Sequence, residues 1–315
     1  MTNVAEAARR LRANLERAVV LKPQTADFLA AALFAGGHVL IVDVPGVGKT
    51  LLARSLARSI RGAFHRVQFT PDLLPADITG TSMYNQKNGE FVFAPGPLFA
   101  NIVLADEINR ATPRTQAALL EAMGEGQVSA DSVTHCLPQP FMVVATQNPV
   151  ETYGTFPLPE AELDRFLLSL TIGYPDSRQA VRILELQEHQ EPEVRPVFEA
   201  EEVLALQSAV RAVDVAAPVK GYIVAVVEAT RGHSAVLLGA SPRAAVALQR
   251  TAQAWAAMQA RDFVSPDDVK AVAGPVLSHR LMLTHGAALP VAFEGGGGAS
   301  PSIVDEILHQ VRVPL

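Results

Sequence analysis

The chain has 315 residues, 49% of them apolar, with 32 acidic against 26 basic side chains and a formal net charge of −6. Basic residues are scattered rather than massed, which argues against tight non-specific nucleic-acid binding. The single cysteine, Cys136, excludes an intrachain disulfide framework or a cysteine-cluster metal site, and no apolar run is long enough to cross a bilayer.

The length suits two domains. The start, "MTNVAEAARRLRANLERA", carries both signs of charge and lacks the features of a secretory signal, so a soluble, cytoplasmic protein is expected. Residues 5–34 read as two helices, the second stopped by Gly36 and Gly37. "HVLIVDV" is a short apolar run of the kind buried in a parallel sheet. A glycine-rich turn follows, then "KTLLARSLARSI" at helical spacing. "FHRVQFT" (64–70) is the next strand, and Asn88-Gly89 marks an inserted hairpin at about 81–95. "NIVLADE" is a buried strand with Asp106 and Glu107 at its end, and "PRTQAALLEAMGEG" is a helix with glycines at its close. "QVSADSVTHCLPQP" reads as a second hairpin or an irregular excursion, "FMVVATQNP" as a strand, and "AELDRFLLSLTIGYP" as a helix start and a last strand.

Beyond Pro175 the pattern is helical, with little that resembles a strand except "YIVAVV", which its neighbours assign to helix. The expected organisation is an α/β domain over 1–175 and a helical domain over 176–315, whose bundle reaches about residue 288. "EGGGGAS" (294–300) has the composition of a flexible linker and precedes an amphipathic terminal piece.

"DVPGVGKT" (43–50) carries the chemistry of a phosphate loop: strand, glycine turn, helix. Gly46 and Gly48 let backbone N–H groups turn toward phosphate oxygens. Lys49 supplies positive charge, the Thr50 hydroxyl suits Mg²⁺, Pro45 stiffens the approach, and Val47 and Leu51 complete the loop and the helix start. Asp43 replaces the usual first glycine and is expected to cap the turn through local N–H groups. At the end of the "NIVLADE" strand, neighbouring residues point opposite ways. Asp106 is therefore assigned to Mg²⁺ and Glu107 to polarising the attacking water, which implies hydrolysis.

Four ordered stretches, "GGHVLIVDVPGVGKT", "LADEINRATPRTQAALLEAMGEGQV", "ATQNPVETYGTFPLPEAELDRF" and "GASPRAAVALQRTAQAWAAMQARDFVSPDDV", resemble the MoxR family of AAA+ ATPases, over about residues 18–285. The resemblance implies an AAA+ core, a parallel sheet flanked by helices, with a C-terminal helical lid, and ATP and Mg²⁺ as ligands. It implies that Asn148 positions water near the γ-phosphate and that Arg165, in "LDRF", reaches a neighbouring subunit's nucleotide; a solvated arginine or a partnership with Asp164 is the plainer alternative. Arg243, in "GASPRA", resembles the lid arginine that senses the γ-phosphate, with its own and the adjacent subunit's nucleotide both open as targets. It sits at a helix start, a poor place for a cation.

A six-membered ring, chaperone-like remodelling or maturation of a client protein, assistance in metal-cofactor insertion and a separate von Willebrand factor A domain partner are further implications. A nucleic-acid motor and a nucleotide-gated scaffold are the alternatives. Tyr84 and Phe91 of the inserted hairpin are candidates for client contact, set against packing of Phe91 or Phe93 on the domain. Lys22 and Pro23 replace the glycine expected near the adenine. Trp255 is expected to pack between helices, and His279-Arg280 to serve a helix C-terminus.

Overall fold

A computed structural model of the chain describes residues 3–130, 133–149, 154–188, 194–284 and 303–314. Two helices come first, α1 (Val4–Ala18) and α2 (Pro23–Ala35). The Asn3 side chain caps α1, and Gly36 ends α2 in the left-handed conformation. Then come β1 (Val39–Val42), α3 (Lys49–Ser59), β2 (Phe64–Gln68), α4 (Pro75–Thr79) and a hairpin of β3 (Gly80–Asn85) and β4 (Glu90–Pro95). Next are β5 (Ile102–Asp106), α5 (Pro113–Glu125), a second hairpin of β6 (Gln127–Ala130) and β7 (Val133–Cys136), β8 (Met142–Gln147), α6 (Glu160–Leu163) and β9 (Leu168–Leu170).

Five of these strands form one parallel sheet in the order β2-β5-β8-β1-β9. Its central strands are apolar because both faces are covered. Val39, Ile41, Ile102, Leu104, Met142 and Val144 face a cluster with α1, α2 and α3. Leu40, Val42, Val103, Ala105, Val143 and Ala145 face one built on α5. The period-two alternation thus divides each buried run between two cores.

The rest of the chain is α7 (Ser177–Glu188), α8 (Ala200–Arg211), α9 (Ala217–Gly232), β10 (Val236–Leu238), α10 (Pro242–Met258), α11 (Pro266–Leu277), β11 (Met282–Leu283) and α12 (Ile303–Gln310). "YIVAVV" lies within α9, as its neighbours required. The antiparallel β10–β11 pair is a departure from the strand-free expectation; two- and three-residue strands are too short to show alternation. Lid helices α8 and α10 pack on α2, and Trp255 stacks on Phe28 with ring centroids 5.2 Å apart, the packing role anticipated for it. The glycine-rich stretch 294–300 lies outside the described residues. Among the described residues no helix is long and apolar enough to cross a membrane.

Both hairpins are present. Asn85 faces Glu90, so Asn88-Gly89 ends a four-residue loop rather than forming a two-residue turn, with the Gly89 N–H bonded to the Asn85 carbonyl at 2.9 Å.

Candidate functional site

β1 and β5 end at the same edge of the sheet with β8 between them, so the loops after them converge, the usual location of ligands in an open parallel sheet. Gly46 and Gly48 have φ of +85° and +90°, backbone that side chains seldom tolerate. Gly48 caps α3, whose first residues are Lys49 and Thr50. Pro45 and Gly46 are exposed, and Val47, Gly48, Lys49, Thr50 and Leu51 are half-buried. Lys49 Nζ donates to the carbonyls of Asp43 (3.0 Å) and Val44 (3.3 Å). Burial pushes its pKa down, against the opposing electrostatic pull of Asp106, Asp43 and Glu107.

Asp43 does more than cap its own turn. Oδ1 accepts the Val44 N–H at 2.8 Å, as the local-cap expectation required. Oδ2 accepts the N–H groups of Ile172 and Gly173, each at 2.7 Å, from the segment that leaves β9 for the lid. Spacing in the chain carries no sign of this brace, because its halves are far apart in sequence. A Cβ on Gly173 would lie 3.4 Å from Lys22 Nζ, which puts Lys22 beside the same segment.

Asp106 is the last residue of β5 and is buried. Its Oδ1 accepts the Thr146 hydroxyl at 2.6 Å, and its Oδ2 accepts Arg66 Nε and a terminal guanidinium nitrogen at 3.1 and 2.7 Å. Glu107 lies beyond the strand with φ +56°, so the left-handed turn, not strand pleating, sets its direction. The Thr146 hydroxyl accepts the Glu107 N–H at 2.9 Å, and Glu107 Oε2 accepts from Gln68 (2.8 Å) and Arg110 (3.1 Å). Arg66, Gln68, Arg110 and Thr146 were missed from sequence. The available signal was "HRVQ", two polar residues on one face of the strand beside β5.

Asn148 is buried just past β8, between the strand of the phosphate loop and that of Asp106. Arg165 donates to the Leu120 carbonyl of α5 at 2.9 Å. It is not the partner of Asp164, whose carboxylate takes Arg280 and Ser241 instead. Gly124 makes room: a Cβ there would stand 2.4 Å from a terminal nitrogen of Arg165, whereas Gly126 is the left-handed residue that stops α5. Arg243 is exposed in the first turn of α10, and its guanidinium has no hydrogen-bond or ion-pair partner among the described residues.

The reading of His279-Arg280 as helix-end cations needs correction. His279 is buried, its ring nitrogen lies 3.1 Å from the Phe166 carbonyl, and burial followed by the Arg280 charge lowers its pKa well below the usual value, keeping it neutral. Arg280 reaches a last-turn carbonyl, Val276, but also ties α6 and β9 to the lid. In the first hairpin Phe93 stacks on His135, with ring centroids 3.9 Å apart. Phe91 and Tyr84 are exposed and pack on each other at 5.3 Å.

The donors fit a magnesium ion shared with a phosphate chain. Thr50 and Asp106 offer hard oxygens, and Mg²⁺ bound through so few protein groups keeps water and phosphate ligands. Among the described residues no group of three or more His, Cys, Asp and Glu could hold a metal alone. A Cβ at Gly46 would meet nothing within 4 Å, so the loop faces open space.

Comparison with known proteins agrees with this geometry. Residues 38–168 match the family model described as "ATPase family associated with various cellular activities (AAA)", and 228–306 match the AAA lid domain. The chain is 50% identical to the uncharacterized protein YeaC of Bacillus subtilis, over 96% of this chain and 93% of that one. It is 41% identical to the chaperone MoxR1 of Mycobacterium tuberculosis, over 95% and 80%. A crystal structure from Cytophaga hutchinsonii, provisionally named an ATPase, superposes with a TM-score of 0.88 at 37% identity, covering 99% of this chain and 96% of that one. With its α/β core and helical lid, this chain belongs to the MoxR family of AAA+ ATPases.

Proposed function

We propose that the chain hydrolyses ATP with Mg²⁺ and uses the cycle for chaperone-like remodelling of a client protein. The observation that carries this reading is the placement of Lys49 after β1 and of Asp106 and Glu107 after β5 at one edge of the sheet, beside an open glycine loop. In this reading the backbone N–H groups of residues 45–50 and the first turn of α3 bind the phosphates. Lys49 moves from the Asp43 and Val44 carbonyls onto the terminal phosphates. Thr50 and Asp106 hold the metal, which supplies positive charge against phosphate oxygens when bound. Glu107 takes a proton from the attacking water, and Asn148 orients that water. Arg165 leaves Leu120 to offset charge developing at an adjacent subunit's site. Arg243 reads the γ-phosphate from the lid.

The organisation that goes with this is a core over 1–175 and a lid over 176–315, assembled as a homo-hexamer in the cytoplasm. The M. tuberculosis relative's name, a chaperone, supports the client-remodelling part. A separate von Willebrand factor A domain partner and a role in metal-cofactor insertion extend the same reading; the exposed Tyr84–Phe91 pair is the proposed client contact. Calorimetry tests its base. Wild-type protein should take up ATP in a Mg²⁺-dependent manner, and Lys49→Ala should lose at least about tenfold in affinity, a charge-assisted contact being worth that much or more. A folded wild-type chain that ignores nucleoside triphosphates with Mg²⁺ refutes the proposal.

A further inference from the structure

Asp164 closes α6 and directly precedes Arg165, yet its carboxylate faces elsewhere. The side chain is only 10% exposed. Oδ1 accepts Arg280 Nε at 2.8 Å, and Oδ2 accepts the Ser241 hydroxyl at 2.5 Å. The other nitrogens of Arg280 reach the carbonyls of Asp164, Phe166, Leu167 and Val276, so one guanidinium fastens the turn between α6 and β9 to the end of α11.

Ser241 is the N-cap of α10, the helix that carries Arg243. Its hydroxyl works in both directions: it accepts the Arg243 N–H at 3.0 Å and donates its own proton to Asp164. Capping requires only the lone pair, and Arg280 already supplies the counter-charge that a buried carboxylate needs. The Ser241–Asp164 bond is therefore surplus to both duties. What it adds is a fixed path from Arg165 to Arg243: one peptide link, one carboxylate, one hydroxyl and one N–H.

We infer that Asp164 is a positioning residue that keeps Arg165 and Arg243 in one register, so that a shift in the first turn of the lid helix α10 moves the arginine serving the adjacent subunit. This rests on the nucleotide roles given to both arginines above. Movement of the lid helix is then transmitted to Arg165 through a hydrogen bond rather than through a diffuse change in packing.

The test compares Mg-ATP turnover and ADP affinity of the full chain for Ser241→Ala, Ser241→Thr, Arg243→Ala and the Ser241→Ala/Arg243→Ala double variant. Asp164→Asn would strip Arg280 of its counter-charge and mix folding with function, so Ser241 is the diagnostic position. Losing one hydrogen bond to an ionised acceptor should lower the kcat of Ser241→Ala about tenfold. ADP lacks the γ-phosphate, so its affinity should stay within about twofold, and Ser241→Thr, which keeps the hydroxyl, should recover most of the rate. Adding Arg243→Ala to Ser241→Ala should cost less than about twofold more, because the arginine is already displaced. Wild-type turnover in Ser241→Ala, or losses that multiply in the double variant, would overturn the inference while leaving the arginine assignments standing. Wild-type turnover in Arg243→Ala would remove the assignment of Arg243 and the inference with it.

Discussion

Asp43→Gly restores the glycine that opens the commonest phosphate-loop pattern, and it should nevertheless destabilise this protein. The carboxylate accepts three backbone N–H groups at 2.7–2.8 Å, two of them from the turn just past β9, the strand paired with β1. A hydrogen bond to a charged group contributes about 1.5 kcal/mol at the low end, so three give about 4–5 kcal/mol. Glycine adds roughly 0.5–1 kcal/mol of backbone entropy lost on folding. Water reaching the half-buried Gly173 N–H offsets part of this, leaving a net loss of about 4 kcal/mol. Unfolding entropy near 2.1 cal/mol/K per residue gives about 0.7 kcal/mol/K for 315 residues, so Tm should fall by about 6 °C. Asp43→Asn keeps one acceptor oxygen and should lose about half as much. Circular dichroism melts at fixed nucleotide give the Tm values, and amide exchange at Ile172 and Gly173 reports the brace directly. An Asp43→Gly protein that melts within about 1 °C of wild type, with both amides still protected, would show that the carboxylate braces nothing.

Glu107→Gln should retain ATP binding while phosphate release falls by about 10²–10⁴, the range for a general base; near-normal release would unseat Glu107. Arg165→Ala and Lys49→Ala subunits, each inactive alone, should regain turnover when mixed, since each supplies what the other lacks. Absence of recovery in demonstrably mixed assemblies would count against a shared site. Acid should destabilise the fold through His38. Its ring nitrogens contact the Met123 carbonyl (3.1 Å) and the Val143 N–H (3.0 Å), a pair that only neutral imidazole satisfies, and burial lowers its pKa to about 4. The unfolded group has a pKa near 6.5, so between about 6.5 and 4 the unfolded state binds the extra proton, and stability falls with pH by about 3 kcal/mol over that window. A His38→Gln variant should show a shallower acid dependence of Tm; an unchanged slope would clear His38 of the effect.

The parts of this molecule governed by local pattern were legible in its sequence. "VLIV" and "IVLAD" announced buried strands, and Gly46-Val47-Gly48-Lys49-Thr50 announced a strand-to-helix turn, because burial and glycine backbone leave their mark within a few residues. Long-range polar contacts leave no such mark. Asp43 looked like a local cap because its partners Ile172 and Gly173, beside it at the end of the neighbouring strand β9, are 129 and 130 residues away in sequence. Arg66 and Gln68 were read only as part of a strand, although the parallel register of β2 with β5 carries them to Asp106 and Glu107. Glycine was also misjudged in part: of the two near the end of α5, one stops the helix and the other clears space for Arg165.

These contacts give the resting site a common property. Lys49 rests on two loop carbonyls, Asp106 on Arg66 and Thr146, Glu107 on Gln68 and Arg110, and Arg165 on Leu120. Each of these four groups already has a protein partner of suitable polarity, whereas the Arg243 guanidinium has none among the described residues. Ligand binding there exchanges one set of hydrogen bonds for another instead of satisfying bare charges, so the net gain is the small difference between two large terms. That difference is what a mutation can tip. Gln68→Ala removes one of the two donors holding Glu107, leaving the carboxylate freer to swing while Arg110 remains, and should raise basal turnover without tightening ADP binding. A rate that falls instead would mean that Gln68 aims Glu107 at water rather than restraining it.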